Sequence, residues 1–165
     1  MGTAQEPVAY VTYAWESFEG LVYVTQTEGG GIGEELNEIV GRAFENLGEI
    51  SSTFEIVEAD GSKLLVMAGQ PFAAERVLVQ QHMREVHEAL GAERIVVSVA
   101  KRGQLLAGAY DGSAQARATL VNLHREAFVT GGDDRVTDRL IMVDDGAVID
   151  SLAISADGAV RGWLN

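Results

Sequence analysis

Residues 54–68 read FEIVEADGSKLLVMA. Two apolar-rich runs, Phe54–Ala59 and Lys63–Ala68, flank the dipeptide Asp60-Gly61. Asp-Gly between such runs predicts a β-hairpin, because glycine enters the positive-φ region of a tight turn without steric cost. Downstream, Ile95–Ala100 (IVVSVA) and Gln104–Tyr110 (QLLAGAY) flank Arg102-Gly103 and predict a second hairpin. Strands joined by turns this short must be antiparallel neighbours, since parallel neighbours need a long crossover. These two hairpins set the expected fold class: α+β, with a mainly antiparallel sheet.

Three helices are expected around the hairpins. Leu36, Ile39, Val40, Ala43, Phe44 and Leu47 form one continuous helical stripe, ended by Gly48. A second helix is expected to open at Pro71, with Val79, Met83, Val86 and Leu90 inward and Gly91 closing it. A third runs from Ser113, an N-cap residue type, to Phe128, with Ala116, Leu120, Leu123 and Ala127 inward. Further strands are expected at Val8–Trp15, Leu21–Thr25, Leu140–Val143, Val148–Ile154 and Val160–Leu164, with turns at Asp144-Asp145-Gly146 and Asp157-Gly158. The order is strand, strand, helix three times over, then strands. Laying Lys63–His87 over Gln104–Phe128 pairs Leu64 with Leu105, Leu65 with Leu106, Ala68 with Ala109, Ala73 with Ala114, Arg76 with Arg117, and Arg84-Glu85 with Arg125-Glu126. That recurrence suggests repeated ββα units. Apolar stripes on all three helices need a sheet to cover, and the expectation is helices on one sheet face.

The chain has 165 residues, which suits a single domain spanning 1–165. Its apolar share of 47% and charged share of 22% match globular rather than disordered chains. There is no cysteine, which excludes disulfides and thiolate chemistry. The net charge of −13 opposes binding to nucleic acid or anionic membranes and favours a basic protein partner. No basic leader or apolar segment opens the chain at Met1–Pro7, so the expected location is cytoplasmic.

Gln26-Thr27-Glu28-Gly29-Gly30-Gly31-Ile32-Gly33-Glu34-Glu35-Leu36 follows an expected strand and opens an expected helix. Glycines let a backbone approach a ligand, and a helix N-terminus offers free N–H groups. Gln26-x-x-Gly29-x-Gly31, continued by Ile32-Gly33-x-x-Leu36, resembles the pyrophosphate loop of GCN5-related N-acetyltransferases. The resemblance implies acetyl-CoA as cofactor, bound by Gln26, Gly29, Gly31 and Gly33, and an acyl-CoA-dependent N-acyltransferase activity. The alternative is a flexible turn whose acidic residues favour the helix start.

The helix Glu34–Leu47, the hairpin 54–68, the helix through Leu90 and the strand Ile95–Ala100 together resemble the roadblock/LC7 family. That resemblance implies a small αβ domain that dimerises and regulates GTPases or motor assemblies.

Other chemistry-bearing residues suggest structural roles. His82 and His87 are five apart on one helix and diverge by about 140° around its axis, so they do not form a metal pair. They are expected to be partly exposed, and His124 to sit at the boundary of its helix. No serine–histidine–aspartate set is evident, and no catalytic or metal-binding residue is assigned. Asp133, Asp134, Asp138, Asp144, Asp145 and Asp150 are expected as turn formers and solvated edges, and Trp15 and Trp163 as packing residues or interface anchors. The functional expectation is a non-enzymatic interaction or regulatory module, homodimeric, with a protein partner and no cofactor. The N-acyltransferase is the alternative.

Overall fold

The structure, a computed structural model, describes residues 14–17, 20–23, 33–51, 53–59, 61–160 and 163. A two-stranded antiparallel sheet pairs β1 (Ala14–Ser17) with β2 (Gly20–Tyr23). Helix α1 (Gly33–Glu49) follows. Then come β3 (Glu55–Ala59), β4 (Ser62–Ala68), a 3₁₀ segment at Glu75–Leu78, α2 (Gln80–Leu90), β5 (Arg94–Ser98), β6 (Gln104–Ala109), α3 (Ala114–Thr130), β7 (Arg139–Asp144) and β8 (Ala147–Ala153).

Strands β3 to β8 form one six-stranded sheet in the order β3-β4-β6-β5-β7-β8, every neighbour antiparallel. The α+β class, the antiparallel sheet and the three long helices are those expected from the hairpins. Both hairpin turns carry positive-φ glycine, Gly61 at 72° and Gly103 at 68°.

The helices do not share one face. The buried residues of α2 (Met83, Val86, Leu90) pack with Leu65, Met67, Ile95, Val97, Leu105, Ala107, Ile141 and Val143. Those of α3 (Ala116, Leu120, Val121) pack with Leu64, Val96, Leu106, Leu140 and Leu152, on the opposite side. The topology requires this. Helix α2 carries the chain from β4 across β6 to β5, and α3 carries it from β6 across β5 to β7. Both crossovers step the same way across the sheet, yet β4 and β6 run antiparallel. Two crossovers of the same hand, the one that strand twist favours, must then lie on opposite faces. The element order recurs, but the two ββα units differ in hand and are not superposable copies.

Other boundaries move. Pro71 opens a turn, not a helix; the 3₁₀ segment follows, and α2 begins only at Gln80. Gly91, at φ 68°, caps α2 as expected. Ser113 caps α3, its Oγ accepting from the Ala116 N–H at 3.2 Å. Leu123 points outward, and Val121 and His124 take the inward places. Of the strand expected over Val160–Leu164, Val160 makes an isolated bridge to Ile154, and residues 161, 162 and 164 lie outside the described residues. The expected strand over Val8–Trp15 lies mostly outside the described residues, as do Val24 and Thr25 of the second.

Candidate functional site

A groove of about 390 Å³ opens between α3 and the segment after β8. This volume falls within the range of small-ligand sites. One wall is α3 itself, which presents Arg117, Val121 and Arg125 at intervals of one turn, with Ala118 and Asn122 beside them. The opposite wall is Asp157, Gly158, Val160 and Trp163.

Local chemistry shapes that wall. Ser155 Oγ hydrogen-bonds the Asp157 carboxylate and also donates to the Ala159 carbonyl at 2.7 Å. The Ala159 N–H adds a bond to the Asp157 carboxylate at 3.2 Å. The Ser155 hydroxyl, then that backbone N–H, hold the Asp157 pKa below the usual carboxylate value. Gly158 completes the turn at φ 87°. A Cβ there would come within 3.1 Å of Arg125 Nη1, so the glycine leaves room for the guanidinium. Arg125 Nη2 donates to the Ala156 carbonyl at 3.2 Å.

Trp163 is the floor. Its Nε1–H donates to the Tyr110 carbonyl at 2.6 Å, and its ring stacks on Tyr110 with centroids 6.4 Å apart. Arg94 lies over the other ring of that stack, 5.6 Å from the Tyr110 centroid, and pairs with Asp144 at 3.0 Å. Trp163 is only 6% exposed, so it is a packing residue rather than an exposed interface anchor.

His87 is partly exposed as expected, whereas His82 and His124 lie deeper than expected. His124 is 1% exposed, and its Nδ1 lies 2.9 Å from the Oγ of Ser98, also 1% exposed. Asp138 is close enough to favour the charged ring, through its backbone and its carboxylate, but burial outweighs it and lowers the His124 pKa. Serine, histidine and aspartate thus converge, but not as a hydrolase would use them. A nucleophilic hydroxyl must meet its substrate, and this one is enclosed under α3. His82, 5% exposed, is likewise buried. Desolvation, then the nearby Arg76 charge, lower its pKa, and Glu85 at 3.7 Å only partly offsets them. Among the described residues no group of three or more histidine, aspartate or glutamate side chains is placed to hold a metal ion.

Of the glycine-loop residues, Gln26, Gly29 and Gly31 lie outside the described residues, and Gly33 is the first residue of α1. Helix α1 itself is open. No side chain between Asn37 and Glu49 is buried, and Phe44 of its apolar stripe is exposed. Its C-terminal end is held by buried Arg76, whose Nη2 donates to the Ile50 carbonyl. Among the described residues, edge strand β3 has β4 as its one ladder partner, and it exposes Ile56 and Val57.

The groove residues escaped the sequence reading, although Arg117, Val121 and Arg125 recur every fourth residue in a chain with only 12 lysines and arginines. The opposing wall is more than thirty residues away in the chain, and nothing local links the two. Comparison of the chain with protein-family models, curated proteins and solved structures finds no match in any of the three.

Proposed function

We propose that the protein is a non-enzymatic interaction module that works as a homodimer, with β3 pairing to β3 of a second copy. The observation that carries this reading is the open edge at β3. Ile56 pairs with Leu65 and Val57 with Leu64, so the two point to opposite faces of the sheet, and both are exposed. A flat edge with apolar side chains on both faces is a template for strand addition, and natural proteins cover or pair such edges. Symmetric pairing is the commonest closed solution. The half-exposed stripe of α1, the helix that precedes β3, adds apolar surface to the same part of the chain. The likeness of residues 34–100 to the dimeric roadblock family points the same way. The charge of −13 suits the dimer to a basic protein partner.

Light scattering on the purified chain tests the reading. The expected particle at micromolar concentration has twice the 17.6 kDa chain mass. A particle of a single chain mass across that concentration range overturns it.

A further inference from the structure

The α3 groove has a chemistry that pairing at β3 does not use. Two arginines line it, and one of them, Arg125, is engaged with the Ala156 carbonyl. Arg117 is half-buried, and its guanidinium makes no hydrogen bond or ion pair among the described residues. A guanidinium partly withdrawn from water without a partner is costly, and an anion of matching shape removes that cost. It stands one turn from Val121, which continues into the apolar floor of Val160 and Trp163. The far end of the groove differs. There Arg125 and the Asp157 carboxylate line the same end, so their charges offset and that end offers no net positive charge to a second anion.

We propose that this groove binds a small amphipathic monocarboxylate, its anion on Arg117 and its apolar body along Val121, Val160 and Trp163. A planar guanidinium takes a carboxylate through two parallel N–H···O bonds, which fixes the head group. The edges of Val121, Val160 and Trp163 open to the groove add a small apolar contact for the chain of the ligand. A doubly charged phosphate fits less well, because Asp157 remains ionised on the opposite wall. The site lies between α3 and the segment after β8 and uses none of the residues of the β3 edge, so it stands whether or not the chain dimerises.

Octanoate, octanamide and inorganic phosphate are titrated separately into the isotopically labelled full chain and followed by two-dimensional NMR. Octanoate is expected to shift the backbone amides of Ala118, Val121 and Gly158 and the indole N–H of Trp163, with saturation. Octanamide, which lacks the charge, and phosphate, which lacks the apolar chain, are each expected to bind at least about tenfold more weakly. Arg117→Gln is expected to weaken octanoate binding by a similar factor. The proposal is overturned if octanoate gives no saturable shifts, or shifts residues elsewhere. It is also overturned if octanamide or phosphate binds as tightly as octanoate, or if a folded Arg117→Gln chain binds octanoate unchanged. The three-ligand comparison on the unmodified chain decides the matter even if the variant fails to fold.

Discussion

Ser98 Oγ and His124 Nδ1 lie 2.9 Å apart, sealed between β5 and α3, each residue 1% exposed. The contact joins strand to helix inside an otherwise apolar layer formed by Val96, Leu106, Leu120, Val121 and Leu140. Such a pair is stable only while the ring is neutral, because a buried imidazolium has too little compensation there.

The first expected outcome is a loss of stability on mild acidification. An unfolded histidine titrates near about 6.5, and burial lowers the folded value for both His124 and His82. Between those values the unfolded chain binds more protons than the folded one, so stability falls as pH falls. It is fully present above about pH 6.5 and declines below it. Urea midpoints measured at neutral and mildly acid pH check this, with a lower midpoint expected in acid. Ser98→Ala leaves Nδ1 unpartnered and is expected to cost about 1–3 kcal/mol at neutral pH.

The face of α3 gives a second test. Leu120 is 1% exposed, whereas Leu123 is 37% exposed. Leu120→Ala is expected to cost about 2–5 kcal/mol, as cavity-forming changes do. Leu123→Ala should stay within about 1 kcal/mol of the parent. Equal losses in denaturant titrations would mean that the helix presents a different face.

Much of the fold was written locally. The Asp60-Gly61 and Arg102-Gly103 signals, Gly91 as helix stop and Ser113 as cap each act within a few residues, and each could be read in place. The side of the sheet taken by each helix depends on strand order, which is not a local property. One hint was present: Leu64-Leu65-Val66-Met67 and Ile95-Val96-Val97 are apolar at consecutive positions, as strands covered on both faces are. His124 misled for a similar reason. A polar ring on an apolar stripe suggests a boundary, and its partner Ser98 comes from a distant strand. The groove depends on the same long-range closure, bringing Asp157 and Gly158 to Arg125.

The turn between β7 and β8 supports a third expectation. Asp145 and Gly146 both have positive φ, 46° and 76°. A Cβ on Gly146 would fall 2.5 Å from the Gln80 carbonyl at the start of α2, and 2.9 Å from the Gln80 Cγ. The turn is also tied to α2 through Arg84 and Asp145 at 3.2 Å, and through Gln80 Nε2 and the Asp145 carbonyl at 3.2 Å. Gly146→Ala therefore combines backbone strain with a clash against a backbone atom. A cost of about 1–3 kcal/mol is expected, read as a lowered thermal midpoint.

The proposed pairing of β3 across a dimer is tested through its register, which charge narrows. Centring the two-fold on Val57 sets Val57 opposite Val57, Ile56 opposite Glu58 and Glu55 opposite Ala59. Strand alternation allows slips of two residues only, and the slip that centres the pair on Glu58 sets Glu58 opposite Glu58, where directly opposed like charges destabilise a strand pair. In the centred register, Val57→Lys places two lysines face to face at the axis. Ile56→Lys places each lysine opposite a glutamate, an attractive pair. The two variants carry the same charge on adjacent residues of one exposed strand, so general effects on solubility or stability should be alike. Sedimentation is expected to show Val57→Lys dissociating at least about tenfold more readily than the parent, and Ile56→Lys remaining dimeric. Ile149→Lys, on the opposite edge strand β8, should also remain dimeric. If Ile149→Lys dissociates while Val57→Lys does not, the copies meet at β8. If Ile56→Lys and Val57→Lys dissociate equally, the centred register is wrong even though the β3 edge is right.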